Sequence, residues 1–502
     1  MNIVSKLFQT GNINKEKMAI IDGEYSITYE ELLSATMNLS RKLSNEGIKK
    51  GDKVVVLIPM SAKLYITLSA IWTLGGEPVF FDVFAGKKYI EDCCNIIKPD
   101  AIIVNNKSNL LTLTNKTLRK IPLKFNYKEI DFRKNTNRKY EDLLEETTAL
   151  LTFTSGSTGT PKGVVRTHSL FINQYNALVN NLNYSKNITD LGILPIFTLA
   201  NLAAGNLTII PQTNVNNMKK LKPKVLVEQI YHHSVNKLTC SPTIIKKIYD
   251  YCISHNKKLE SVKTLNLGGG PVYPSLLKGL NTVFPNAKIY IVYGSSEAEP
   301  IAHIEWKEDL MNLIKEKSCL LGGYLIPEVD VKIIKPNYIS KYSNITLKEL
   351  ESLETEIGEI IVSGKHVVKH YLDKQHDLEN KFYINDKVWH RTGDLGLFKD
   401  NCLLLAGRMN NLVEKDKTTI YPFMVETYLN IKHGIDRSSY FKHNNQILLV
   451  LEKDCTIEDF KDLEWAKIDK IIKVKKLPMD KKHSAKVNVS ELKRILIKKG
   501  EI

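Results

Sequence analysis

Short β-branched runs alternate with segments of helical apolar spacing through most of the chain, and this alternation admits few architectures. Residues 54–58 read V-V-V-L-I between Gly51-Asp52 and Pro59. A run that is apolar at every position has no solvent face, so it predicts a strand buried on both sides. Ala101–Val104 (A-I-I-V), reached after Pro99-Asp100, predicts another. Residues 29–43 and 62–74 carry apolar side chains at a period near 3.6 and predict helices. Further strands are expected at 288–292 and 359–362. Strand-helix alternation of this kind predicts α/β layers around mostly parallel sheets.

Size and composition set the outer limits. A chain of 502 residues suggests two to four structural units. Hydrophobic residues at 43% and charged residues at 25% exclude a disordered, collagen-like or coiled-coil protein. The net charge is +16, from 71 Lys and Arg against 55 Asp and Glu. That balance permits anionic partners. A nucleic-acid interface would need a basic face with interleaved aromatics or a known module; the sequence shows neither, so no nucleic-acid partner is expected. The seven Cys form no C-x-x-C pair and no Cys/His zinc spacing, which predicts reduced, mostly buried thiols and a cytoplasmic protein. Residues 191–218 carry no charge but hold Pro195, Pro211 and Asn at 201, 206, 214, 216 and 217. The apolar pieces are too short to span a membrane. A buried strand-loop-helix lining a pocket is expected instead, with no transmembrane segment.

The last hundred residues differ in character. A hairpin is expected at 395–405, followed by Gly407-Arg408, and a domain boundary is placed near residue 407. From Trp465 to the end there are 12 Lys or Arg against 4 Asp or Glu. A final helix is expected from Ser490 as N-cap to Lys499, with Gly500 as its stop.

The strongest chemical signal is residues 152–163, T-F-T-S-G-S-T-G-T-P-K-G, placed after the apolar Ala149-Leu150-Leu151. Glycines let the backbone turn tightly and approach an anion. Backbone N–H groups and hydroxyls can then cradle phosphate oxygens, with Lys162 adding a mobile charge. This is not a Walker A loop, which would need Gly at Pro161 and Ser or Thr at Gly163.

The string resembles the phosphate loop of the AMP-forming adenylating enzymes, the superfamily of acyl-CoA synthetases, peptide-synthetase adenylation domains and luciferases. Other matches follow in that family's order. Gly268-Gly269-Gly270-Pro271 resembles its adenine-side loop, and Tyr293-Gly294-Ser295-Ser296-Glu297 its Y-G-x-[ST]-E. Thr392-Gly393-Asp394 resembles its T-G-D, Gly407-Arg408 the start of its hinge, and residues 478–486 its C-terminal lysine motif. The resemblance implies an α/β fold: a large N-terminal domain, 1–407, of layered, mostly parallel sheets with a small β subdomain. A small mobile α+β domain, 408–502, would act as a lid carrying the catalytic lysine.

The resemblance also implies a reaction and its residues. A carboxylate attacks the α-phosphate of ATP, an acyl-adenylate forms and pyrophosphate leaves. Thr154, Ser155, Gly156, Ser157, Thr158, Gly159 and Lys162 would hold the phosphates. Glu297 would ligate Mg²⁺, a hard cation that prefers oxygen and retains waters. Gly268, Gly269, Gly270, Tyr293, Gly294, Ser295 and Ser296 would surround the adenine side. Asp394 would accept the ribose hydroxyls, with Arg408 reaching the same sugar. Lys486, with Thr154 and Glu297, would stabilise the transferring phosphate. His168 and Arg166 follow the loop; His168 has both a site-adjacent and a packing reading.

The sequence departs from the family pattern in the hinge segment 407–426. Asn410 replaces the hinge acid, Glu414 a Lys, Lys417 a Gly and Met424 a Glu, while Ile420, Pro422 and Glu426 keep the pattern. In the family the Gly lets a thiol arm pass, so Lys417 would obstruct coenzyme A or a carrier-protein phosphopantetheine. The acyl pocket is expected at Phe197, Thr198, Asn201, Gly269 and Glu299. Residues 197–204 hold no acid to bind an α-amine, which favours a fatty or other hydrophobic acid. Together with P-M-D-K-K-H-S-A-K, these departures are similar to the olefin β-lactone synthetase branch, where a β-hydroxyl displaces AMP and no thiol is needed. A fatty-acyl-AMP or acyl-CoA ligase remains open beside it, with an acyl carrier protein as a possible partner. A nucleotide-binding protein with little catalysis is the reading from another class.

Overall fold

A computed structural model describes the chain apart from residues 1, 84, 107, 109, 111–113, 156–160, 337–345, 385–386 and 481–485. It forms two compact units, Met1–Gln212 with Lys365–Asn380, and Thr213–Gly364 with Lys381–Ile502.

The first unit is built on a six-stranded sheet. Its order is Leu123–Asn126, Ala101–Val104, Lys53–Leu57, Glu77–Phe80, Thr148–Ser155 and Pro161–Thr167. All neighbours are parallel except the last pair, an antiparallel hairpin. The apolar run at 54–57 divides between two layers. Val54 and Val56 pack with Ile3, Tyr65 and Trp72 on one face. Val55 and Leu57 pack with Ile90, Cys93 and Leu118 on the other. A strand covered by helices on both sides needs no polar alternation, which explains the V-V-V-L-I string. The covering helices are Tyr29–Asn45 and Ala62–Thr73 on the first face and Lys87–Ile97 on the second. The first of these starts at Thr28, whose hydroxyl and the Glu31 carboxylate form a reciprocal capping box.

The uncharged stretch 191–218 holds the strand and helix expected of it. The strand Thr189–Leu191 leads into the helix Pro195–Ala204, which begins on Pro195 and ends at Gly205, and the strand Leu207–Ile209 follows. The strands Thr189–Leu191, Leu207–Ile209 and Met18–Asp22 run parallel, and Tyr25–Thr28 closes them antiparallel. No helix among the described residues is long and apolar enough to cross a membrane.

In the second unit the strands Lys237–Cys240, Thr264–Gly268 and Lys288–Ser295 are parallel. The next strands are antiparallel: Ala298–Glu305, Leu320–Leu325, Cys402–Arg408, Lys387–Lys399, Gly358–Gly364 and Val329–Ile334. The long antiparallel pair Lys387–Lys399 and Cys402–Arg408 is the expected hairpin, extended beyond 395–405 at both ends. Beyond Arg408 lie the small hairpin Val413–Lys415/Thr418–Ile420, the helix Pro422–Lys432, and a three-stranded sheet of Ser438–His443, Gln446–Leu451 and Lys470–Lys473.

The last helix spans Val489–Lys498 and corrects the expected cap. Its N-cap is Asn488, whose side chain accepts from the Glu491 N–H at 2.9 Å; Ser490 is inside the first turn. Asn488 is fixed there because its own N–H donates to the Pro478 carbonyl. Leu492 and Leu496 bury the apolar stripe of this helix, each worth about 2 kcal/mol. Six of the seven cysteines are buried and all are free. Burial raises the Cys93 and Cys94 thiols to about 12 and about 11, so they stay protonated and unreactive.

Candidate active site

In the second unit the site is assembled from strand ends. Thr264–Gly268 and Lys288–Ser295 are paired with Gly268 opposite Val292. The approach there is close, since a Cβ on Gly268 would lie 2.7 Å from the Val292 carbonyl oxygen. Gly269 follows at φ +75°, and a Cβ there would meet nothing within 4 Å. The glycine turn thus leaves open space at the strand's carboxyl end, where ligands bind in parallel α/β sheets. One strand away, Tyr293 sits near the end of Lys288–Ser295, and Ser296 and Glu297 form the turn into Ala298–Glu305. The Glu297 N–H donates to Ser295 Oγ at 3.3 Å, which steadies this turn. Glu299 lies half-buried on the return strand.

Cross-strand register places the next pair. Asp394 and Arg408 stand directly opposite each other on Lys387–Lys399 and Cys402–Arg408. Arg408 Nε donates to Asp394 Oδ1 at 3.0 Å, and the Tyr293 hydroxyl donates to Asp394 Oδ2 at 3.2 Å. The Asp394 N–H donates to Thr392 Oγ1 at 3.1 Å, and Thr392 Oγ1 donates to the Ile360 carbonyl at 2.7 Å. One carboxylate is therefore aimed by a tyrosine, an arginine and the T-G-D turn. Burial and then the Asp394 charge push the Tyr293 phenol well above its ordinary range, so it stays a donor. The Asp394 charge likewise raises Arg408.

Lys486 enters the same neighbourhood from a short bridge between Met479 and Val487. Its backbone N–H donates to Asp480 Oδ1 at 3.0 Å, and the Asp480 N–H donates back to the Lys486 carbonyl at 2.8 Å. Burial lowers the Lys486 ammonium below the ordinary lysine value, and the Arg408 charge adds to this. Asp394, Asp480 and Glu297 act in the opposite sense. The second unit thus brings together Tyr293, Asp394, Arg408, Glu297 and Lys486, five side chains spread over nearly two hundred positions of sequence.

In the first unit the phosphate-loop string forms the hairpin Thr148–Ser155/Pro161–Thr167, with Thr154 opposite Lys162 and Ser155 opposite Pro161. Gly156, Ser157, Thr158 and Gly159 lie outside the described residues. Lys162 Nζ pairs with Glu379 Oε2 at 3.3 Å, and His376 Nδ1 lies 3.4 Å from the same oxygen. Burial raises Glu379, but His376 and Lys162 outweigh it and leave the carboxyl below its ordinary value. The segment bearing Glu379 is tied along the hairpin: the Leu372 N–H donates to the Gly163 carbonyl at 2.8 Å, and Val164 bridges Tyr371. Arg166 Nη1 donates to Thr152 Oγ1. His168 begins the helix His168–Asn181, is 1% exposed, and has no hydrogen-bond partner on either ring nitrogen among the described residues. Burial lowers it to about 4, so its packing reading is the one this environment supports.

The expected acyl-pocket residues Phe197, Thr198 and Asn201 are all buried in the helix Pro195–Ala204. Asn201 Nδ2 donates to Asp190 Oδ2 at 2.6 Å and to Thr208 Oγ1 at 3.3 Å. Its amide therefore ties the helix to two neighbouring strands. Three contributors escaped sequence reasoning: Thr392 behind Asp394, Asp480 behind Lys486, and Glu379 on Lys162. The first belongs to a quoted motif and the second to the lysine motif, so both were within reach. Glu379 stands 217 positions from Lys162 and carried no signal.

The sequence matches the AMP-binding enzyme family over residues 7–372. The chain belongs to that family. An olefin beta-lactone synthetase of Xanthomonas campestris pv. campestris is 25% identical over 443 residues, covering 83% of this chain and 78% of that protein. A 2-succinylbenzoate–CoA ligase of Bacillus subtilis is 24% identical over 436 residues, covering 84% and 81%. The fold is similar to that of the O-succinylbenzoate coenzyme A synthetase of Bacillus subtilis solved with ATP and magnesium ion, at a TM-score of 0.76 and 21% identity over 97% of this chain and 99% of that one. This AMP-binding enzyme is accordingly an AMP-forming carboxylate ligase that uses ATP. Its layered α/β architecture with a mostly parallel first sheet is the one the sequence predicts.

Proposed function

We propose that this AMP-binding enzyme activates a hydrophobic carboxylic acid, of the fatty-acid class, as its acyl-adenylate. The observation that carries the reading is the convergence of Tyr293, Asp394, Arg408, Glu297 and Lys486 in one neighbourhood. Asp394 presents a carboxylate already oriented for a diol such as ribose, and Tyr293 supplies a flat face beside the glycine turn. Phosphate oxygens would fall to the 152–163 segment, with Lys162, Thr154, Ser155, Ser157 and Thr158 as the assigned donors. Glu297 fits Mg²⁺, since that ion takes one or two carboxylates and fills its other positions with phosphate oxygens and water. When bound, the ion would neutralise phosphate charge. In the reaction a substrate carboxylate oxygen bonds to the α-phosphorus as the bond to pyrophosphate breaks. Charge grows between the two, and the Lys486 ammonium is the mobile cation that offsets it. Residues 1–407 form the nucleotide- and acyl-binding body in this reading and 408–502 the lid that carries Lys486. Phe197, Thr198, Asn201, Gly269 and Glu299 are assigned to the acyl side.

A second reading concerns the following step. The likeness to the olefin beta-lactone synthetase supports intramolecular capture, in which the β-hydroxyl oxygen bonds to the acyl carbon, AMP leaves and the hydroxyl proton is released. Lys417 supports it too: it sits at φ +61° in the hairpin turn, a conformation glycine adopts freely, and its side chain would stand in the path of a thiol arm. The test is acid-dependent pyrophosphate release from ATP and Mg²⁺ across aliphatic, β-hydroxy-aliphatic, aryl and amino acids, with product masses. Release with a hydrophobic acid is expected. No release with any acid overturns the first reading. A product one water lighter than a β-hydroxy acid, formed without thiol, supports the second; an acyl-CoA product refutes it.

A further inference from the structure

The glycine turn and the C-terminal portion are joined by two polar contacts that the nucleotide chemistry does not need. The Tyr273 hydroxyl donates to Glu426 Oε2 at 2.7 Å. Asn430 Nδ2 donates to Ser275 Oγ at 2.9 Å, and the Ser275 N–H donates to Asn430 Oδ1 at 3.1 Å. Glu426 and Asn430 lie one turn apart on the helix Pro422–Lys432, so both face the start of the helix Pro274–Val283.

Each of these two side chains has one partner that travels with it and one that does not. Glu426 Oε1 accepts from the Tyr440 N–H at 3.3 Å, and Asn430 Nδ2 also donates to the Ile435 carbonyl at 3.2 Å. Tyr440 and Ile435 belong to the C-terminal portion; Tyr273 and Ser275 are the N-cap position and a first-turn residue of the helix Pro274–Val283 that follows the glycine turn. A buried carboxylate or amide that lost every partner would be costly. Here separation leaves each group half satisfied, which makes the contact reversible. The helix Pro274–Val283 has no side-chain cap of its own. The Ser275 N–H is one of its orphan first-turn donors, and Asn430 caps it from a distant element.

We propose that Tyr273, Ser275, Glu426 and Asn430 form a docking latch that holds the lid where Lys486 reaches the Asp394 neighbourhood and, by capping the helix behind Gly268–Gly270, couples lid position to the shape of the nucleotide pocket. These are positioning residues, and the proposal rests on the reading of 408–502 as a lid.

Hydrogen exchange on the full chain without substrates tests the latch apart from the activity. In Tyr273→Phe and in Asn430→Ala the amides of 275–277 exchange at least tenfold faster, with the strand Lys53–Leu57 unchanged as an internal control. Both variants release acid-dependent pyrophosphate at least fivefold more slowly, with a higher KM for ATP. Glu426→Gln, which keeps an oxygen for the Tyr440 N–H and an amide for the Tyr273 oxygen, stays within about twofold of wild type on both readouts. Unchanged exchange in Tyr273→Phe, a single-atom deletion that leaves the core intact, overturns the latch. A wild-type protein that releases no pyrophosphate refutes the enzymatic reading and leaves the exchange result to decide the latch.

Discussion

The buried carboxyl of Glu426 gives the chain a measurable pH dependence. Glu426 is 9% exposed, and burial pushes it from 4.5 up to about 7, against the lowering effect of the Tyr273 hydroxyl and the Tyr440 N–H. The folded state therefore holds the proton more tightly than the unfolded one. Below pH 4.5 both states are protonated and the group contributes nothing. Between 4.5 and 7 the unfolded chain ionises first, binds fewer protons, and gains on the folded state. Above 7 both are ionised and the full penalty stands. For these two values the penalty grows by about 2.5 kcal/mol between pH 5 and pH 8. Glu426→Gln removes the titration while preserving the shape. Urea unfolding of the two proteins at pH 5, 6, 7 and 8, at equal ionic strength, measures the difference. The variant gains on wild type by about 2.5 kcal/mol across this range, mostly between pH 5 and 7. Other titrating groups cancel because they are common to both proteins. A gap between the two proteins that is constant within about 0.5 kcal/mol refutes the elevated carboxyl, and a gap of opposite slope refutes the reasoning outright.

Four further outcomes follow from the same geometry. Lys486→Ala slows acid-dependent pyrophosphate release by about 10²–10³-fold while ATP binding, measured by calorimetry, changes little. Asp394→Asn leaves Arg408 without its counter-charge and offers ribose a poorer acceptor, so the Kd for ATP rises about tenfold or more. Glu379→Gln frees Lys162 from a competing carboxylate, and KM for ATP falls about two- to fivefold at low salt and less at high salt. Lys417→Gly relieves the left-handed backbone by about 1 kcal/mol, seen as a higher urea midpoint; any acyl-CoA formation rises with it, and a fall counts against the obstruction.

The parts legible in the sequence were those fixed by local physics. The 54–58 strand declared itself because a two-sided burial forbids polar alternation. The 191–218 stretch was legible as a buried strand-loop-helix rather than a membrane span, because Pro195, Pro211 and five Asn interrupt its apolar pieces, while the helix bounds at Pro195 and Gly205 come from the fold. The final helix was legible in its existence but not in its start. Asn488 and Ser490 are both good caps, and what selected Asn488 was a tertiary bond from its N–H to Pro478, together with Glu491 falling at the third helical position. The motif strings named Asp394, Arg408 and Tyr293, yet no spacing rule says that they share one carboxylate. That depends on the register of a hairpin with an irregularity between Leu395 and Gly396. Tyr273 and Glu426 stand 153 positions apart, and their contact exists only once the fold is complete.

The charge of the C-terminal portion also takes on a different meaning in three dimensions. Some of its cations are engaged at the surface: Lys415 with Asp469, Lys467 with Asp416, Lys470 with Glu501 and Lys473 with Asp454. Exposed pairs of this kind contribute little stability, typically below about 1 kcal/mol each. Lys486 is different, because burial lowers its ammonium, Arg408 adds to this, and Asp394, Asp480 and Glu297 favour its charge. Two cations facing three carboxylates would repel a triphosphate if all five acted alike. They do not, since Asp394 is held and partly neutralised by Tyr293 and Arg408, and Asp480 is bound to the Lys486 backbone N–H. In the proposed reaction the Lys486 ammonium would be the cation that responds as phosphate charge develops, and a positive group in a partly desolvated site is a stronger electrostatic partner than many on a solvated surface.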